Sequence, residues 1–88
     1  MLFRSTLSVF PNPMSDAGNV VFFLPKTANV VLEIYNIAGQ KVKLVNLDKV
    51  NAGSHTWQFS TTEFSPGMYF VTLQTSTERK ATKFIVNR

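Results

Sequence analysis

The sequence predicts an all-β fold, an immunoglobulin-like antiparallel β-sandwich of about seven strands, and two observations carry this prediction. Apolar and polar residues alternate over short runs rich in Val, Ile, Phe, Thr and Tyr, and helical periodicity is absent. Clusters of Gly, Pro, Asn and Ser interrupt these runs at intervals of roughly 8–12 residues. An open barrel is the alternative architecture with the same pattern.

Length and composition fit one small domain covering residues 1–88. A domain of this size buries only about 60% of its unfolded surface, so it needs a dense core. Eight Phe, two Tyr and one Trp supply large apolar side chains for that core. The chain has no Cys, which excludes a disulfide framework, a cysteine-ligated metal and a thiol nucleophile.

Seven strands are predicted from the alternating runs and the turn signals between them. They cover residues 5–10, 19–24, 29–37, 40–47, 55–60, 68–75 and 80–86. Pro11 and Pro13 end the first strand because proline cannot donate to a sheet hydrogen bond. The third strand alternates most clearly, with Val30, Leu32 and Ile34 on one face.

The fourth strand follows a tight turn in which Gly39 suits a positive φ. Its alternation predicts that Val42 and Leu44 point inward. The apolar residues that follow change parity, so we expect a β-bulge near residues 44–46.

The last three strands come after a turn at Gly53 and a loop that ends at Gly67. The fifth strand places His55 and Trp57 on the apolar parity. In the sixth, Tyr69 is expected to bury its ring while its hydroxyl reaches a neighbouring loop, as in a tyrosine corner.

No constellation of catalytic groups is present, and the sequence therefore predicts no enzyme and no cofactor. The one histidine, His55, lies beside aromatic residues, where a structural role is favoured. Five acids are scattered over separate turns and strand faces, without the spacing of a glycosidase pair or a calcium loop. A phosphate-binding glycine loop and a nucleophile elbow are also missing.

Positive charge is concentrated in the last ten residues, which hold Arg79, Lys80, Lys83 and Arg88. Such a strand fits an anionic partner, and protection of a sheet edge against aggregation is the alternative. We expect no nucleic acid, because no recognition helix or RNA-binding aromatic motif appears. No membrane span is expected, and any export signal would lie on a parent chain.

Five short motifs follow one another along nearly the whole chain. They are Val9-Phe10-Pro11-Asn12-Pro13, VLEIYNIAGQ from Val31 to Gln40, Asn51-Ala52-Gly53-Ser54-His55, Ser65-Pro66-Gly67-Met68-Tyr69-Phe70-Val71 and Lys83-Phe84-Ile85-Val86. Together they resemble the C-terminal sorting domain of the type IX secretion system of Bacteroidetes. One departure is Phe10, where that family often has Tyr.

The resemblance implies a non-catalytic signal module that directs a parent cargo protein through this system to the cell surface or the medium. Its implied partners are an outer-membrane translocon, a sortase-like protease that cuts near or before residue 5, and anionic lipopolysaccharide. The sorting-motif residues that it implies are Pro11, Asn12, Pro13, Gly39, Gly53, His55, Gly67, Tyr69, Lys83 and Arg88.

Two other functions remain open at this point. A carbohydrate-binding or adhesive accessory domain would present outward aromatic residues, for which Tyr35 and Phe22 are the candidates. A spacer would show neither export dependence nor ligand binding. The position of the domain in its parent gene separates these, since a sorting domain must end the chain.

Overall fold

Seven strands and no helix make up residues 4–87, the part of the chain that this computed structural model describes. The strand boundaries lie within three residues of the predicted ones. They are β1 Thr6–Phe10, β2 Ala17–Leu24, β3 Ala28–Asn36, β4 Lys41–Val50, β5 Gly53–Ser60, β6 Gly67–Gln74 and β7 Arg79–Val86. Every strand pairing is antiparallel, which confirms the predicted fold class.

The strands form two sheets that enclose the core. One sheet has three strands in the order β1-β2-β5, and the other has four in the order β4-β3-β6-β7. Alternate residues of each strand face the space between the sheets, as the period of two requires. The side chains with at most 1% exposure are Met14, Val20, Phe22, Leu24, Val30, Leu32, Ile34, Val71, Leu73, Phe84, Val86 and Thr61.

Phe22 does not face outward, so its proposed role as a sugar-contacting aromatic is wrong. It is 1% exposed and lies in β2, the middle strand of the three-stranded sheet. Its neighbours across the ladder are Leu7 and His55, both on the inner face. Tyr35 does lie on the outer face of the four-stranded sheet, where its ring is half-buried.

The orientation predicted for the start of β4 is also wrong. Val42 is 40% and Leu44 is 56% exposed, while Val45 and Leu47 pack against the core. The predicted bulge at residues 44–46 is absent, because the ladder runs without interruption from Leu47 to Lys43.

The irregularities of β4 lie at both of its ends instead. Ile34 pairs with Lys43 and Tyr35 with Lys41, which leaves Val42 without a partner. At the other end the register shifts again at Lys49, whose φ is 21°. As the edge strand of the larger sheet, β4 has no fully buried residue, so its side-chain pattern carries little information about orientation.

Candidate functional site

Six of the ten predicted sorting-motif residues lie at one end of the sandwich, although they come from distant parts of the sequence. Because the strands are antiparallel, the last residues of β1, β3, β5 and β7 share this end with the first residues of β2, β4 and β6. We call residues 10–18, 36–42, 61–69 and 84–87 the motif end. The predicted residues found there are Pro11, Asn12, Pro13, Gly39, Gly67 and Tyr69.

The other four predicted residues are elsewhere. Gly53 and His55 lie at the opposite end, at the start of β5. Lys83 projects from the outer face of β7, across from Phe70 of β6. Arg88 is outside the described residues.

The loop after β1 is joined to the last strand by hydrogen bonds from residues that the sequence separates widely. Ile85 N donates to Asn12 Oδ1 at 2.9 Å, and Met14 N donates to Ile85 O at 2.9 Å. Asn87 N donates to Met14 O at 2.8 Å. The side chain of Asn12 therefore accepts a hydrogen bond from a backbone N–H of the edge strand β7. These bonds join the first sorting motif to the last one.

The turn between β3 and β4 is organised by a single side chain, that of Asn36. Its Oδ1 accepts hydrogen bonds from Ala38 N at 3.0 Å and Gln40 N at 2.9 Å, while its Nδ2 donates to Gln40 Oε1 at 2.9 Å. Gly39 has a φ of 85°, in the left-handed region that favours glycine. These bonds explain why an Asn, a Gly and a Gln occur together at this turn.

Tyr69 fulfils the prediction of a buried ring with a bonded hydroxyl. The hydroxyl donates to Ser65 O at 2.6 Å, and the residue is only 6% exposed. The ring lies between Phe64 and Phe84, with centroid distances of 5.1 and 5.6 Å. Tyr69 thus fixes the loop before β6 to the core.

An open cavity of about 400 Å³ lies between the β3–β4 turn and the loop before β6. We call it the motif groove. Its lining mixes polar groups with the apolar side chains of Ile37, Val42, Pro66 and Met68, and Glu63 is the one charged residue among those that line it. Ile37 is 74% exposed, although it is large and apolar. Val42, on the same groove, is 40% exposed, so the two side chains together present apolar surface to a partner.

At the opposite end, His55 has a structural role. Its Nε2 lies 2.6 Å from Asn51 O, and its ring stacks on Phe22 at a centroid distance of 5.4 Å. The histidine therefore holds the turn that precedes β5. The described residues contain no group of three or more His, Asp or Glu side chains arranged to hold a metal ion.

Sequence reasoning missed a contact at this same opposite end, where Ser5 is held by Glu78. The Ser5 hydroxyl donates to Glu78 Oε2 at 2.6 Å, and Ser5 N donates to Oε1 at 3.3 Å. Ser5 is 2% exposed. The two residues are 73 positions apart, so no local pattern could have revealed the pair.

Two carboxylates make the stability of the domain dependent on acid pH. The Ser5 hydroxyl bond lowers the pKa of Glu78 from 4.5, and the bond from Lys41 lowers the pKa of Glu33 from 4.5. A depressed pKa in the folded state stabilises the fold above the unfolded value, and this contribution is lost as the pH falls. We expect the free energy of unfolding to decrease below about pH 4.5.

Urea unfolding of the parent, Ser5→Ala and the control Ser8→Ala at several pH values measures this effect. Ser5→Ala should flatten the acid dependence because the pKa of Glu78 then returns toward its ordinary value. Ser8 is exposed on β1 and leaves Glu78 untouched, so its variant should follow the parent. An equal acid slope in Ser5→Ala and the parent would contradict the prediction.

Comparison with known families assigns the fold and the motifs to a group. The model of the family described as the secretion system C-terminal sorting domain matches residues 8–87. The chain belongs to this family. The match covers nearly the whole chain and confirms the resemblance to type IX sorting domains that the motifs indicated.

The sorting domain was also compared with curated proteins and with solved structures. No curated protein matches it. Among solved structures it is similar to FlgD from P. aeruginosa, with a TM-score of 0.61 and 23% sequence identity over 93% of this chain and 69% of the FlgD chain. At that identity the likeness shows the β-sandwich fold alone.

Membership in the family implies that the sorting domain is attached to a parent cargo and serves a secretion system that exports it. Within residues 4–87 we find no helix long and apolar enough to cross a membrane.

Proposed function

We propose that this sorting domain is a non-catalytic address label whose motif end is read by the outer-membrane translocon. The observation that supports this most strongly is the convergence of the sorting-motif turns at one end, where two of them, the β3–β4 turn and the loop before β6, line the motif groove. Asn36 and Tyr69 fix the two sides of that groove through hydrogen bonds before any partner arrives. A preformed surface binds a partner with little loss of conformational entropy.

The cargo would be attached at the other end of the sandwich. Ser5 directly precedes β1, and β1 runs from there toward Phe10 at the motif end. The long dimension of the domain is 40 Å. A folded cargo joined before Ser5 would therefore leave the motif end open to the translocon.

Removal by a sortase-like protease would occur before Ser5. A protease needs an extended, accessible segment, but the backbone and hydroxyl of Ser5 are bound by Glu78 and the residue is buried. The bond between Ser5 and Glu78 would thus set the limit of the segment that can be cut. Surface retention of the cargo on anionic lipopolysaccharide would follow that cut.

The proposal predicts that a charge in the motif groove blocks export. Residues 1–88 would be fused behind a signal peptide and a reporter in a host that has this secretion system. Ile37→Asp should reduce surface reporter by roughly tenfold, because it places an unpaired carboxylate in an apolar contact beside Glu63. Reporter activity outside the cell is the measurement.

The control is Thr56→Asp, which adds the same charge at an exposed position of β5, away from the groove. This variant should be exported like the parent. Since Ile37 is largely exposed, its variant should keep the parent's melting temperature. Full export of a folded Ile37→Asp would eliminate the motif groove as the contact, and retention of the parent fusion in the periplasm would eliminate the sorting function.

A further inference from the structure

A second surface of the domain combines positive charge with aromatic rings. Four residues lie side by side across the outer face of the four-stranded sheet, since Lys41 pairs with Tyr35, Tyr35 with Phe70, and Phe70 with Lys83. We call this set the cation–aromatic row. Neighbouring strands are about 4.8 Å apart, so the two lysines are separated by roughly 14 Å with both rings between them.

The row is open to solvent on the side of β7. Phe70 is 37% exposed, and a shallow cavity of about 390 Å³ beside it is lined by Phe70, Ala81, Thr82 and Lys83. The small side chain of Ala81 leaves this depression between the larger neighbours. One face of the Phe70 ring is thereby accessible next to a lysine.

The other half of the row is held in place by a buried carboxylate. Glu33 is 8% exposed, and its Oε2 accepts a hydrogen bond from Lys41 Nζ at 2.6 Å. The same ammonium lies over the Tyr35 ring, 6.0 Å from its centroid. Glu33 therefore fixes Lys41 against the Tyr35 ring, which leaves Phe70 as the ring of the row that is open to a ligand.

Charge on this face favours an anionic ligand. On this outer face, the row and the next two rows toward the start of β7, which pass through Glu33 and Val31 of β3, contain three cations, Lys41, Lys83 and Arg79, against one acid, Glu33. That acid is already paired with Lys41, whereas Lys83 and Arg79 form no ion pair with another described residue. Two cations thus remain available to carboxylate, sulfate or phosphate groups.

The rings occupy central strands, and this excludes recognition by strand addition. Tyr35 is in β3 and Phe70 in β6, and the backbone of each of these strands is hydrogen-bonded on both sides within the sheet. A peptide could not extend the ladder here, because strand addition needs a free edge. Contact must be made by side chains, through flat ring faces and ammonium groups.

We propose that the open end of the cation–aromatic row binds an acidic polysaccharide, with a sugar ring stacked on Phe70 and acid groups bound by Lys83 and Arg79. Aromatic faces pack well on the C–H faces of sugar rings. Lys83 and Arg79 are four residues apart on β7, so the sugar chain would run along this strand. This activity is additional to the proposed sorting function and does not depend on it.

The test uses polygalacturonate oligosaccharides as the acidic probe and dextran oligosaccharides as the neutral one, with isothermal titration of the 88-residue domain. We expect binding of the acidic probe that weakens with salt. Phe70→Ala and Lys83→Gln should each weaken it by roughly fivefold or more, equivalent to about 1 kcal/mol. Both positions are exposed, so both variants should remain folded.

The matched controls are Phe23→Ala, an aromatic on the outer face of the other sheet, and Lys26→Gln, an exposed lysine outside the strands. Each should stay within about twofold of the parent. An equal loss in Lys26→Gln would reduce the effect to net charge and overturn the proposal. So would the absence of binding, or tighter binding of oligoglutamate that is lost with the same variants.

Discussion

Replacing Phe84 by alanine is expected to lower the free energy of unfolding by about 3–5 kcal/mol. Phe84 is 0% exposed, and its ring stacks on Tyr69 at 5.6 Å and meets the edge of Phe59 at 5.7 Å. Its truncation would leave a cavity between the two sheets. The loss is a large share of the roughly 5–15 kcal/mol available to a domain.

Urea unfolding, monitored by tryptophan fluorescence, measures this change. The control is Ile85→Ala on the same strand, because Ile85 is 43% exposed and faces outward. It should cost less than about 1 kcal/mol, since little apolar area is lost from the core. Similar costs at the two positions would mean that β7 does not contribute its inward face to the core.

The burial of Phe84 also affects how truncations of the sorting domain should be interpreted. Deleting residues 83–88 removes Phe84 and Val86, both fully buried, together with the ladder partners of Gly67 and Tyr69. Such a chain would lose export whether or not a translocon contacts its last strand, simply because it no longer folds. Surface substitutions such as Ile37→Asp separate recognition from stability, since they leave the core intact.

The sequence predicted side-chain orientation correctly on β3, where one face of the strand is covered by the core. Val30, Leu32 and Ile34 alternate along β3, a central strand over the core, and all three are buried, so the predicted orientation is confirmed. The edge strand β4 has no such constraint. Its exposed Val42 and Leu44 mimic a core pattern, and no local signal distinguishes them from buried residues.

The long-range contacts of the candidate site could not be predicted from the sequence. The motif resemblance pointed to Asn12 but not to its bond with Ile85 N, which spans 73 residues. Met14 lies in an irregular loop without periodicity, yet it is 1% exposed and bonds to β7. Patterns report local burial, whereas the joining of the first and last motifs depends on how the two sheets stack.

The burial of Met14 leads to the second large effect, at Gly18. A Cβ added to Gly18 would lie 2.5 Å from Met14 Sδ, 2.7 Å from Met14 Cε and 3.0 Å from Phe59 Cζ. We expect Gly18→Val to cost roughly 1–3 kcal/mol through overpacking. Ala17→Val is the control; Ala17 is the exposed neighbour in β2, and its variant should be close to the parent.

The double variant Gly18→Val with Met14→Ala tests the cause of that loss. Met14→Ala alone should cost about 2–5 kcal/mol because it empties a fully buried site. If the introduced side chain clashes with Met14, its methyl groups will occupy part of the space that Met14 leaves. The double variant should then lose less free energy of unfolding than the two single variants lose in total. We expect this difference to be about 0.5–3 kcal/mol when measured by urea unfolding. If the two losses in free energy simply add, the contact with Met14 is not the cause of the Gly18→Val loss. The strain would then lie in the backbone of β2, and Met14 and Phe59 would have moved aside without loss of stability.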